Sequence, residues 1–192
     1  MISKQQLRQA FRTNLERDTD ISAYQARSRD LCSRLLGFLS VRPGLWAGFM
    51  PVGFEPDISP IYSKTENIQW AFPRVDGETL SFFVPSGPLV MNQWNIPEPD
   101  PERSRHVELG ELRGLLVPGL AFDLQCNRLG RGRGYYDRAL GSAERNKNTN
   151  SRARVGIAFE RQIASTSLPT DSHDQAMDWV ITESREIKRN QT

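Results

Sequence analysis

What most restricts the fold of this chain is a succession of apolar runs too short to be buried helices. After the RPG turn at 42–44 come LWAGFMP (45–51), IQWAFPRV (68–75), TLSFFVP (79–85), LRGLLVPG (112–119), ARVGIAF (153–159) and DWVIT (178–182), bounded by proline, glycine or acidic turns. Such runs read as strands. Several are apolar at consecutive positions, so the sheet they form needs cover on both faces, and helices must supply it. Residues 3–17 set Leu7, Ala10, Phe11 and Leu15 on one stripe at helical spacing behind Ser3, a good N-cap. Residues 21–39 form a second helix carrying Tyr24, Leu31, Leu35, Leu36 and Phe38, and shorter helices are expected at 59–65 and 135–140. The expected fold is α/β: a single domain over residues 1–192, led by the helices of 1–40, with a mixed, largely parallel sheet. Ligands in such sheets collect in loops beyond the strand ends. Asn92–Arg105 (NQWNIPEPDPERSR) has too much proline for a helix or a central strand and reads as an ordered loop, and the polar stretch 142–152 reads as a mobile one.

A hydrophobic share of 38% and a charged share of 25% suit one ordinary globular domain, and a formal net charge of +2 is too small for general nucleic-acid binding. Any basic function is therefore local. No run reaches the roughly 18 to 20 apolar residues of a membrane span, and the opening residues lack a secretory apolar core, so a cytoplasmic location is expected. Cys32 and Cys126 are too few for a disulfide framework and lack metal-ligand spacing. Both read as reduced thiols. Arg27, Arg29 and Arg34 read as surface charge, and Lys4 and Arg8, four apart on one helix, as neighbouring solvated cations.

The strand-like run LLVPGLAFD leads into RLGRGRGYYD (128–137), where three glycines alternate with arginines ahead of a short helix. Backbone amides of such a loop can converge on a phosphate at a helix N-terminus, and Arg128, Arg131 and Arg133 add charge-assisted hydrogen bonds. The spacing is neither a Walker A loop nor a dinucleotide fingerprint. The alternative is a flexible basic turn without chemistry. Asp137 likewise has two readings: a ligand for Mg²⁺ set between it and a phosphate, or a carboxylate stabilising the first turn of the helix.

Six blocks, in order, resemble the 5-formyltetrahydrofolate cyclo-ligases, or methenyltetrahydrofolate synthetases. They are KQQLR (4–8), FMPVGFEPD (49–57), FPRV (72–75), IPEP (96–99), LLVPGLAFD with RLGRGRGYYD, and VGIAFERQ followed by LPTDSHDQAMDWVITE (168–183). The resemblance implies a three-layer α/β/α fold and one reaction, in which 5-formyltetrahydrofolate and ATP, with Mg²⁺, give 5,10-methenyltetrahydrofolate, ADP and phosphate. It places Lys4, Gln5, Gln6, Leu7 and Arg8, and Arg128, Leu129, Gly130, Arg131, Gly132, Arg133, Gly134, Tyr135 and Tyr136, on nucleotide-binding positions. It places Met50 and Glu55 on folate-binding positions, with Arg8, Arg131, Gly132, Arg133, Gly134 and Tyr135 also touching substrate. Arg131, Arg133 and Tyr135 are the residues it puts nearest the reacting groups, and Asp137 and Asp174 match magnesium ligands.

Within that resemblance Glu55 suits the donor edge of a pterin, and Trp94 or Phe83 could stack on it, though each suits a core position as well. His173 is read as orienting the loop of Asp174, and His106 has no role as a base. The chain departs from its relatives at Leu124–Asn127 (LQCN), often richer in glycine elsewhere, so Cys126 is read as structural. Two rivals stand beside this reading: an ATP-using enzyme of the same fold acting on another substrate, and a nucleic-acid binder using GRGRG as a basic aromatic patch.

Overall fold

The computed structural model describes residues 3–17, 19–144 and 152–190. Helices α1 (Lys4–Glu16) and α2 (Ile21–Ser40) precede strands β1 (Gly44–Ala47), β2 (Ile68–Asp76) and β3 (Thr79–Pro85). A small hairpin of β4 (Val90–Met91) and β5 (Pro97–Glu98) leads to β6 (Ser104–Val107) and β7 (Gly114–Pro118). A second hairpin, β8 (Ala121–Phe122) and β9 (Arg128–Leu129), feeds α3 (Tyr135–Glu144), and β10 (Ala153–Ile157), β11 (Trp179–Ile181) and β12 (Glu186–Lys188) close the chain. Among the described residues, eight strands form one sheet in the order β12-β11-β10-β7-β1-β2-β3-β6. The run from β11 to β2 is parallel, and β12, β3 and β6 join antiparallel at the margins.

The consecutive apolar residues of the central strands divide between the two faces. Trp46, Trp70, Phe72 and Leu116 pack with Leu31, Leu35, Phe38 and Leu39 of α2. Their neighbours Ala47, Ala71, Leu115 and Val117 point the other way, into the cluster that holds Ala139 and Leu140 of α3. Helices therefore cover both faces, as the lack of a polar side in these strands requires. Gly114 makes room for the largest of these side chains: a Cβ there would lie 2.5 Å from Cζ3 of Trp46. Among the described residues no helix is long and apolar enough to cross a membrane.

Local signals account for the helix starts. Ser3 Oγ accepts from the Gln6 N–H while Gln6 Oε1 accepts from the Ser3 N–H, a capping box, and Asp20 Oδ1 accepts from the Ala23 N–H at 3.0 Å. The structure narrows the α1 stripe, because Ala10 is exposed while Leu7 and Phe11 pack on Leu129 and Leu168. Asn92–Arg105 is not all loop: it holds β5, and Ser104 opens the edge strand β6 against β3. Its prolines fall before that edge, where a missing N–H costs no ladder bond. The helix expected at 59–65 is a single 3-10 turn, Ser59–Ile61. The loop expected at 142–152 starts later, since α3 runs to Glu144, and 145–151 lie outside the described residues. Of the three arginines read as surface charge, Arg29 is exposed and the other two are half-buried with contacts of their own: Arg27 lies 5.4 Å from the Phe159 ring centroid, and Arg34 donates to the Ser184 carbonyl at 3.0 Å.

Candidate active site

The β8–β9 hairpin is pinned by two buried polar side chains. Asp123, 1% exposed, accepts from the backbone N–H groups of Gln125, Asn127 and Leu168 and from Asn127 Nδ2, all at 2.8–2.9 Å. Gln162, fully buried, donates to the Gly119 carbonyl at 2.8 Å and accepts from the Phe159 N–H. Together they fix the path into the glycine loop, and Asp123 also holds the turn in which Cys126 sits at φ 62°. The Cys126 thiol is buried, which pushes its pKa up to about 11, with Asp123 adding to the rise. It stays neutral and serves packing.

In the glycine loop the arginines occupy the space that side chains would take. The Arg8 Nε and Cζ lie 3.5 and 3.6 Å from where a Cβ on Gly132 would be, and Arg8 Nε donates to the Gly130 carbonyl at 3.1 Å. A Cβ on Gly130 would meet Arg128 Nη1 at 2.9 Å. Gly132 (φ 101°) and Gly134 (φ 68°) hold backbone conformations that side chains disfavour, and they turn the chain into α3. Arg128, its side chain 5% exposed, donates to Asp137 Oδ1 at 2.9 Å and to the Pro118 carbonyl at 3.2 Å.

Facing this loop is the stretch after β1. The Tyr62 hydroxyl donates to the Phe49 carbonyl at 2.6 Å and accepts from its N–H, and a Cβ on Gly48 would lie 2.7 Å from the same oxygen. Glu55, 7% exposed, accepts from the Val52 N–H and from Arg131 Nε, both at 2.9 Å, while Arg131 Nη2 donates to the Val52 carbonyl at 2.7 Å. Burial raises the Glu55 pKa; Arg131 and the Val52 N–H pull against it without cancelling it. Two predicted site residues, 76 positions apart, thus meet directly.

At the far end Lys4 binds Asp174, and Asp171 at 2.6 Å. Asp174 also accepts from the Asp171 N–H at 2.7 Å. Partial burial works to lower the Lys4 pKa and to raise that of Asp174, but their mutual hydrogen bonds prevail, so Lys4 is raised and Asp174 lowered. Ligand atoms of Asp171, His173 and Asp174 lie within 4.8 Å of one another, a grouping that could hold a divalent cation.

These pieces enclose a cavity of about 570 Å³, within the usual size range of small-molecule sites. Lys4, Arg8, Met50, Glu55, Asp137, Asp174 and the whole of Arg128–Tyr136 line it. Gln5, Gln6 and Leu7 do not: Gln5 is exposed, Gln6 closes the helix cap, and Leu7 packs on the hairpin. Trp94, 47% exposed, lines the cavity, whereas Phe83 packs edge-on against His106 at 5.2 Å outside it. Sequence reasoning missed Arg12, Asp171, Glu98 and the apolar wall of Phe72, Val75, Leu80 and Ile96. Arg12 was findable, one helical turn beyond Arg8 on the same face. Among the described residues, Arg8, Arg12 and Arg133 line the cavity without a carboxylate partner. The wall is thus strongly cationic on one side and apolar on the other.

The family model of the 5-formyltetrahydrofolate cyclo-ligase family matches residues 1–183. The chain belongs to that family. A mouse 5-formyltetrahydrofolate cyclo-ligase is 36% identical over 97 residues, covering 50% of this chain and 47% of that protein. One from Mycolicibacterium smegmatis is 28% identical over 194 residues, 96% of each. The chain spans about half the length of the first curated relatives it matches. The NMR structure of Aquifex aeolicus 5,10-methenyltetrahydrofolate synthetase superposes with a TM-score of 0.79 at 26% identity, covering 100% of this chain and 95% of that one. Within the cyclo-ligase family match lie all the segments that build the cavity, from Lys4 to Asp174; β12 lies beyond it.

Proposed function

We propose that this chain is an ATP- and Mg²⁺-dependent 5-formyltetrahydrofolate cyclo-ligase that forms 5,10-methenyltetrahydrofolate, ADP and phosphate. The observation that carries the reading is the cavity itself: three guanidinium groups without acidic partners beside a glycine loop, opposite an apolar wall that ends in a buried carboxylate. A polyphosphate suits the first side and a pterin the second. The names of the relatives suggest the folate, and the character of the two cavity walls supports a folate and ATP side by side.

A formamide is a poor electrophile, and its oxygen leaves badly as hydroxide. Phosphorylation removes both obstacles. The formyl oxygen attacks the γ-phosphorus, ADP departs, and N10 attacks the carbon of the resulting N5-iminium phosphate, losing its proton as phosphate leaves with the former formyl oxygen. Such a reaction asks the protein for positioning and charge compensation more than for acid or base. Arg8, Arg131 and Arg133 balance phosphate charge, the loop amides of Gly130–Gly134 approach phosphate oxygens, and Tyr135 stands at the start of α3 next to them. Arg128 is held by Asp137 and shapes the loop from below. Met50 and Glu55 form the folate side, Glu55 accepting from the pterin donor edge.

Two carboxylates of the cavity wall would hold Mg²⁺. Asp137 and Asp174 are hard oxygen ligands on the cavity wall, and each is here neutralised by a cation, Arg128 or Lys4, the charge that a divalent ion would supply. When bound, the ion would neutralise phosphate oxygens as charge shifts toward ADP. A cytoplasmic location agrees with such a substrate. The test is purified protein mixed with 5-formyltetrahydrofolate, ATP and magnesium, each omitted in turn, with the methenyl product followed by absorbance. Product is expected only in the complete mixture; product that forms without ATP, or none in the complete mixture, removes the reading.

A further inference from the structure

Glu98 is a second buried carboxylate on the cavity wall, 6% exposed, and each of its oxygens has a protein partner. Oε1 pairs with Arg74 Nη1 at 2.9 Å and Oε2 accepts from Asn92 Nδ2 at 3.0 Å. Arg74 stands on β2, inside the main sheet, and also donates to the Pro99 carbonyl at 3.0 Å. Asn92 passes the connection on: its Oδ1 accepts from the N–H groups of Trp94 (2.9 Å) and Ile96 (3.1 Å). Its backbone accepts from the Asn95 N–H and donates to the Ile96 carbonyl, both at 3.0 Å, closing a turn in which Asn95 sits at φ 60°. The β4–β5 hairpin that carries Trp94 and Ile96 into the cavity is thus fastened to the sheet through a line of three polar side chains.

Fastening a two-strand hairpin through an ion pair with one buried member is a poor way to gain stability, because desolvating the Glu98 carboxylate offsets much of the attraction. What the arrangement does supply is direction. Bidentate use of Glu98 leaves one register for Asn92, and Asn92 in turn fixes the backbone from which Trp94 and Ile96 project. We propose that Arg74, Glu98 and Asn92 are positioning residues that set the Trp94–Ile96 wall against the folate, so that they control folate affinity without touching the substrate. The proposal rests on the cyclo-ligase reading.

The experiment is a double-mutant cycle on the purified full chain, with KM measured separately for 5-formyltetrahydrofolate and ATP and Tm measured alongside. Glu98→Ala is expected to raise the folate KM about tenfold and to leave the ATP KM within about twofold. Glu98→Gln keeps one acceptor but sets its amide NH₂ against the other donor, Arg74 or Asn92, so it should recover only part of the loss. In the Trp94→Ala background the Glu98→Ala effect on folate KM should shrink to less than about twofold, because the relay then directs only the smaller Ile96 side chain. Effects of Glu98→Ala that raise both KM values together with a fall in Tm, that add fully to those of Trp94→Ala, or that are absent would each overturn the proposal. If Glu98→Ala does not fold, Asn92→Ala enters the same cycle with the same expectations. Absence of folate turnover in the wild-type protein would instead remove the cyclo-ligase reading.

Discussion

Glu55 is a buried carboxylate with both oxygens already engaged, so a pterin edge that reaches it has to compete with Arg131. Glu55→Gln keeps the shape and removes the charge, and it should raise the folate KM more than the ATP KM; equal rises would move Glu55 away from the pterin. Because burial raises its pKa above the ordinary 4.5, the carboxylate is lost on acidification earlier than usual. The folate KM should therefore climb as pH falls while still above 4.5, and that limb should vanish in Glu55→Gln. For stability the sign is opposite: the protonated form is favoured by the fold, a contribution full below 4.5 and lost as pH rises through the folded pKa. Arg133→Ala should lower turnover about 10²-fold, the scale of one preorganised electrostatic group. Wild-type turnover in that variant would contradict its place beside the phosphates. Gly132→Ala, at φ 101°, should cost about 1–3 kcal/mol in urea unfolding, since a side chain there is strained and faces Arg8. An unchanged urea midpoint would show that the loop relaxes freely. At this scale the sequence was informative about charge and silent about pairing. GRGRG reads as an anion loop by its composition, but nothing in it says that Arg128 turns inward to Asp137 while Arg133 has no carboxylate partner among the described residues.

At the scale of elements, α1 is tied to the rest of the chain at its N-terminus through Lys4 and at its middle through Arg8. Asp174 has a lowered pKa, so its share of the tie is present above its ordinary 3.8 and is lost as pH falls through the folded value. Lys4 has a raised one, so its share persists up to 10.5 and is lost only beyond it. Protection of α1 amides, relative to their intrinsic exchange rate, should accordingly fall below pH 3.8 while that of α2 is kept, and Asp174→Asn should lower α1 protection at neutral pH. Equal protection of the two helices across this range would mean the tie is not what holds α1. Helices and central strands were legible because caps and apolar spacing are local properties. The β4–β5 hairpin, the β6 edge and the β8–β9 hairpin were not, since these short strands depend on links between residues far apart in sequence, such as Arg74 with Glu98, β3 with β6, Gly119 with Gln162 and Asp123 with Leu168.

For the whole molecule, the sheet order could be anticipated only as mixed and largely parallel; which strand becomes an edge depends on crossovers that no local pattern encodes. The edge strand β12 lies outside the family match, and Ile187 on it packs on the α3 side of the core while its carbonyl faces the Cys126 thiol at 3.7 Å. Truncation after Glu183 should lower Tm by several degrees, on the scale of about 2–4 °C per kcal/mol for a chain of this size, and leave both KM values unchanged. A large change in either KM would show that the edge strand shapes the cavity. The account as a whole turns on phosphate passing to the formyl oxygen inside one cavity. Substrate labelled with oxygen-18 in its formyl group tests this most directly: the label should leave in inorganic phosphate, one atom per turnover, and label that appears in water instead would contradict it.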